Sequence, residues 1–228
     1  KRGRQKSYLK DFQGAVEDYS KAIEIKPTDN LFWTRGVARY QAGDFEGAIA
    51  DQSKLIALND PKSWFSAYRE RALAKKELKD FQGALIDINK YLEVGDPAQG
   101  LRHRGEIKQL SGDVKDACED WQLAASDELG DEDSNRLLYQ NCRSLGFTAN
   151  AEYFHESGSD KCISEDYQES ISDLDIAIEI DPSNSSSYYF RGEAKKELGD
   201  LNGACKDWKK AAELGNEDAA KLLEEHCE

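Results

Sequence analysis

Small and apolar residues recur along this chain at helical spacing, and the whole pattern returns about every 34 residues. Six stretches share it: KDFQGAVEDYSKAIEIKP (10–27), GDFEGAIADQSKLIALND (43–60), KDFQGALIDINKYLEVGD (79–96), GDVKDACEDWQLAASDEL (112–129), EDYQESISDLDIAIEIDP (165–182) and GDLNGACKDWKKAAELGN (199–216). Aligned on one small residue, they put Ala15, Ala48, Ala84, Ala117, Ser170 and Ala204 in register, at spacings of 33, 36, 33, 53 and 34. Upstream of each lies another helical stretch, centred on Gly3, Gly36, Ala72, Gly105, Gly158 or Gly192. The pattern predicts two helices of about 14 residues and a short turn per unit. Small residues let the paired helices approach closely, while Phe45, Phe81 and Tyr167 fill the space beside the turn. One pair cannot bury its apolar face alone, so pairs must stack.

In this register the six units resemble the tetratricopeptide repeat (TPR) family, over nearly all the chain outside residues 131–150. In family terms the small residues fall at repeat positions eight and twenty, the aromatic at seventeen and proline at thirty-two. Pro27 and Pro182 match that proline, and Pro61 and Pro97 come one residue late. The family tryptophan at position four is replaced by Phe32, Tyr68, Leu101, Phe154 and Tyr188. The stretch RGEAKKELGDLNGACKDWKKAAELGNEDAAKLL further resembles bacterial TPR proteins whose terminal repeat carries an ACxDW segment and a closing helix. The resemblance implies an all-α fold: a right-handed TPR superhelix (α-solenoid) of six helix-turn-helix repeats, with an internal and a C-terminal capping helix.

The internal cap is read from a repeated ending. DACEDWQLAASDELGDEDSNRLLYQNC (116–142) and GACKDWKKAAELGNEDAAKLLEEHC (203–227) share an acidic helix start, a Leu-Leu pair and a closing Cys. Leu137–Leu138 and Leu222–Leu223 would pack on the preceding pair, and Gly146 offers a stop. We therefore expect a first array over 1–146, with about four repeats and a cap helix at 132–143. A second array over 147–228 would hold two repeats and a cap at 216–227. A continuous superhelix with an odd helix inserted is the rival. If each cap lies on the last second helix, Cys118 meets Cys142 and Cys205 meets Cys227; disulfides there would imply an oxidising or exported setting, and small buried thiols are the alternative. Cys162 has no counterpart and is expected to stay free.

Two charged positions also repeat. Arginine precedes the central small residue at Arg2, Arg35, Arg71, Arg104 and Arg191. Aspartate recurs in every second helix, at Asp18, Asp51, Asp87, Asp120, Asp173 and Asp207. Recurrence in every unit points to scaffold, and we expect Arg–Asp ion pairs linking helices, worth about 0–1 kcal/mol each if they lie on the surface. The fifth unit has Ser157 in place of arginine and should lack the pair.

Composition narrows the function. A net charge of −14 disfavours sequence-independent nucleic-acid binding, and no apolar run approaches the roughly 18 residues that span a bilayer. No cofactor or metal is expected: His103, His155 and His226 are scattered and no CxxC occurs. No phosphate loop or nucleophile elbow is present either, so no enzyme is expected. Trp121 and Trp208 fall at core positions. What remains is the concave face that the resemblance assigns to the first helices. There Arg4, Tyr8, Trp33, Thr34, Tyr40, Arg69, Lys76, Arg102 and His103 form the first array's candidate groove for a protein or peptide partner, and Tyr189 joins from a more acidic second set. The asparagines of the clamp used by TPR co-chaperones are missing, since Arg4, Val37, Leu73 and Glu106 occupy position nine. The alternative reading is a structural module that forms homo-oligomers through its solenoid ends.

Overall fold

The computed structural model describes residues 2–58, 65–126 and 128–227; Pro61 and the side chain of Arg2 lie outside the described residues. Among the described residues there are fourteen α-helices and no strand. The first pair is α1 (Arg2–Tyr8) with α2 (Phe12–Ile25), and the second α3 (Asp29–Gln41) with α4 (Phe45–Leu58). The third is α5 (Phe65–Glu77) with α6 (Phe81–Leu92), and the fourth α7 (Pro97–Ser111) with α8 (Val114–Ala124). Next, α9 (Glu132–Asn141) precedes a 3-10 turn at Arg143–Leu145. Then come α10 (Ala151–Ile163) with α11 (Tyr167–Ile180), α12 (Ser185–Glu197) with α13 (Leu201–Glu213), and the closing α14 (Glu217–His226). Two compact units result, Lys1–Leu137 and Leu138–Glu228, so the division falls inside α9. Among the described residues no helix is long and apolar enough to cross a membrane.

The turns follow from short local motifs. Six first helices hand over to the second through a left-handed residue: Gly43, Gly112 and Gly199, but also Lys10, Lys79 and Glu165. The next residue is Asp in every case. Where the motif reads Asp-x-x-Gly, the Asp carboxylate accepts the Gly N–H, as in Asp11–Gly14 at 3.0 Å and Asp44–Gly47, Asp80–Gly83 and Asp200–Gly203 at 2.9 Å. A Cβ at Gly83 would lie 2.7 Å from the Asp80 carboxyl carbon, so this tight cap needs glycine. Asp113 and Asp166, followed by Asp116 and Glu169 instead of Gly, make no such side-chain cap.

Within a pair, side-chain volume is shared between facing positions. Trp121 and Trp208 are fully buried opposite Gly105 and Gly192, where a Cβ would come within 2.7 and 2.6 Å of the indole Cδ1. Ala72 faces a smaller partner, joining Ala84, Ile88, Tyr91 and Ile107 in one buried cluster of the first unit. In the second unit Tyr188, Ala204, Trp208, Ala211 and Ala219 form the matching cluster. Onto it pack Leu222, Leu223 and Cys227 of the closing segment. Asn216 caps α14 by accepting the Ala219 N–H at 2.9 Å. Cys205 and Cys227 are disulfide-bonded with Cα atoms 5.8 Å apart. Cys118 and Cys142 are fully buried and both disulfide-bonded, while Cys162 is a free thiol whose pKa burial pushes up.

Candidate interaction surface on the first helices

Every repeated aspartate is gripped by cations from its own first helix. Arg35, Arg71, Arg104 and Arg191 each hold Asp51, Asp87, Asp120 and Asp207 through Nε and Nη2, at 2.6–2.9 Å. A second cation four residues on meets the same carboxylate: Arg39 at 2.9 Å, Lys75 and Lys108 at 2.8 Å, Lys195 at 2.7 Å. In the first pair Lys6 stands 3.2 Å from Asp18, and in the fifth Lys161 pairs with Asp173. Ser157, which stands where the other pairs have arginine, donates to Asp173 at 2.7 Å. The arginines' remaining nitrogen reaches the preceding second helix two residues beyond its own Asp: Ser20, Ser53, Asn89 and Asp175. One guanidinium thus ties three helices together. Apart from the Lys6–Asp18 contact these are not surface pairs, because Asp51, Asp87, Asp120, Asp173 and Asp207 are only 1–5% exposed; the expected surface-type value does not apply to them. The second cation stands four residues after the arginine in each of these pairs, at Arg39, Lys75, Lys108 and Lys195.

With that scaffold set, the first helices α3, α5 and α7 pack side by side, as do α10 and α12. In the first unit a cleft of about 170 Å³ opens between α1, α2 and α3, lined by Ser7, Phe12, Tyr19, Trp33, Thr34 and Val37. Tyr19 and Thr34 also line an adjoining space of about 380 Å³ that reaches Arg4 and Asn30. Trp33 is half-buried and its other side meets the core around Phe32, Leu55 and Ala67. Thr34 is half-buried too, its hydroxyl donating back to the Asn30 carbonyl at 2.8 Å. Tyr8 sits at the end of α1, 89% exposed.

The other predicted groove residues form a chain of polar contacts. The Tyr40 hydroxyl lies 3.4 Å from Glu77, and burial, then Glu77, push its phenol up to about 12. Lys76 donates to Glu106 at 2.9 Å, and His103 Nδ1 lies 3.6 Å from the same carboxylate. Burial alone would raise Glu106, but His103 and the Lys76 ammonium outweigh it and bring the carboxyl down to about 2. Arg69 donates to Glu70 and Gln99, both at 2.7 Å. Arg102 pairs with Asp131 and Asp133. Arg69, Lys76 and Arg102 are therefore already matched to carboxylates of their own unit, which position in the sequence did not reveal. In the second unit Tyr189 is half-buried, edge-on to Phe190 at 5.2 Å. His155 approaches Phe190 at 6.1 Å and Ser187 Oγ at 3.1 Å.

The tetratricopeptide repeat model matches residues 3–29, which cover the first helix pair. The pairs that follow repeat the spacing, the small residues and the turn of this first pair, so one helix-turn-helix architecture recurs in all six. No curated protein sequence matches the chain at a significant level. Among solved structures, the chain is similar to MamA at 18% identity, covering 97% of this chain and 98% of that one, with a TM-score of 0.49. A TPR protein from Parabacteroides merdae matches at 17% identity over 98% and 95% of the two chains, TM-score 0.48. YrrB, described as a TPR protein with an unusual peptide-binding site, matches at 18% identity over 92% and 99%, TM-score 0.45.

Proposed function

We propose that this protein is a non-catalytic binding scaffold that takes a peptide segment of a partner protein along the first-helix face, with the cleft between α1, α2 and α3 as its anchoring subsite. The observation that carries the reading is this cleft: two aromatic walls, Tyr19 and Trp33, beside Thr34 and continuous with the space at Arg4. Aromatic and arginine side chains in a partly dry recess are the residues on which protein interfaces concentrate their affinity. Arg69, Lys76 and Arg102 act on this reading as a neutralised wall that shapes the groove, since a ligand carboxylate would have to displace their present partners. We infer an oxidising compartment from the bonded Cys205 and Cys227.

The test is selection of binders from a random peptide library displayed on phage, followed by NMR mapping of one selected peptide. The peptide should shift the amides of Ser7, Trp33 and Thr34, and Thr34→Arg should weaken it at least tenfold while circular dichroism stays unchanged. Shifts confined to the second helices would overturn the assignment.

A further inference from the structure

The two units treat charge on their first-helix faces in opposite ways. In the first, Arg69, Lys76 and Arg102 are each answered by carboxylates of the same unit. In the second, the first-helix cations are all engaged: Lys161 with Asp173, Arg191 and Lys195 with Asp207, Lys196 with Glu197 at 3.4 Å. Glu152, Glu156 and Asp160, which run along the exposed stripe of α10 at four-residue spacing, have no cation partner among the described residues. Like charges at this spacing destabilise a helix, so the stripe is held against its own repulsion. On α12 one carboxylate oxygen of Glu193 is shut off from solvent and has no hydrogen-bond partner. A buried acceptor left unmatched is costly, and this one sits a turn beyond Tyr189 and one residue past the second unit's Arg191–Gly192 step.

The rest of the face suits the missing counter-charge. Phe190 stands between His155 and Tyr189, giving three neighbouring rings on the α10–α12 side. Rings beside unpaired carboxylates accept a cationic side chain twice over, through the ring face and through charge-assisted hydrogen bonds. Ile163 at the end of α10 is 73% exposed and offers apolar contact for the stem of a long side chain.

We propose that the α10–α12 face binds a lysine- or arginine-bearing segment of a partner protein, with Glu193 and Glu156 as its principal counter-charges and Phe190 and Tyr189 as its ring contacts. The proposal rests on the first-helix groove reading, and assigns the second unit a ligand class of its own.

Fluorescence anisotropy tests it with a labelled twelve-residue peptide repeating lysine, glycine and leucine, beside a counterpart with glutamate for lysine. The lysine peptide should bind at least tenfold more tightly than its counterpart. Glu156→Lys with Glu193→Lys should weaken it at least tenfold. Glu169→Lys with Glu213→Lys, exposed on the second helices and equal in charge change, should alter it less than threefold. Equal weakening by both pairs would reduce the binding to general attraction by an acidic chain and overturn the proposal, as would no effect of the first pair. Thr34→Arg in the first unit should leave the lysine peptide unaffected. Library peptides that map to Trp33, with no lysine-peptide binding to the α10–α12 face, would leave the groove reading standing and remove only this one.

Discussion

At the scale of the residue, Asp87 displays the economy of the fold. It is 1% exposed, takes two bonds from Arg71 and one contact from Lys75, and lies where an unmatched charge would be intolerable. Removing it leaves two partly buried cations facing one another. Asp87→Ala should therefore cost about 2–4 kcal/mol, between the surface and fully buried cases, read from urea unfolding. A loss below about 0.5 kcal/mol would return these pairs to the surface class. The Arg–Asp half of this clamp was legible because both residues recur. The Lys half was less legible, since lysines on helix surfaces are common and nothing in their spacing distinguishes a ligand of Asp87 from a solvated side chain. Burial of the carboxylate makes the difference, and burial depends on the neighbouring helix.

At the scale of the element, α14 is too short to persist alone: isolated helices below about 12 residues are marginal in water. It is held by Leu222 and Leu223 on the Trp208 cluster and by the bond from Cys205 to Cys227, which closes a sequence separation of 22. Closing a loop of that size restricts the unfolded chain by about 3 kcal/mol. Cys227→Ser should speed hydrogen exchange of the α14 amides while those of α12 keep their protection. Dithiothreitol should have the same effect on the unmodified protein and none on the α14 amides of the variant. Unchanged exchange in α14 would mean that the leucines suffice. The two alike endings pointed to this helix, because an acidic start, Leu-Leu and Cys occur together twice. What they could not specify is exposure: Cys118 and Cys142 are fully buried, whereas Cys205 and Cys227 are half-buried at the end of the chain.

At the scale of the whole molecule, acid should find the groove wall of the first unit. Glu106 lies near 2 in the folded protein against an ordinary 4.5. A depressed carboxyl contributes stability that is fully present above the unfolded value and lost as pH falls through the folded one. The stability gap between the unmodified protein and Glu106→Gln should thus shrink as pH falls from about 5 to about 2, followed by urea unfolding at each pH. A gap constant over that range would show that Glu106 does not titrate as its surroundings dictate. The sequence by itself determined the helix pairs, their register and their turns, because these rest on spacing, on small residues and on Asp-x-x-Gly motifs that act over a few positions. It also determined which charges repeat. Only the tertiary structure decided which of those charges are spent. Arg69, Lys76 and Arg102 of the first unit's candidate groove are already neutralised by Glu70, Glu106, Asp131 and Asp133, while Glu152, Glu156 and Glu193 in the second have no cation partner among the described residues. The physical reason is that a charge's availability depends on partners brought close by packing, often some thirty residues away along the chain.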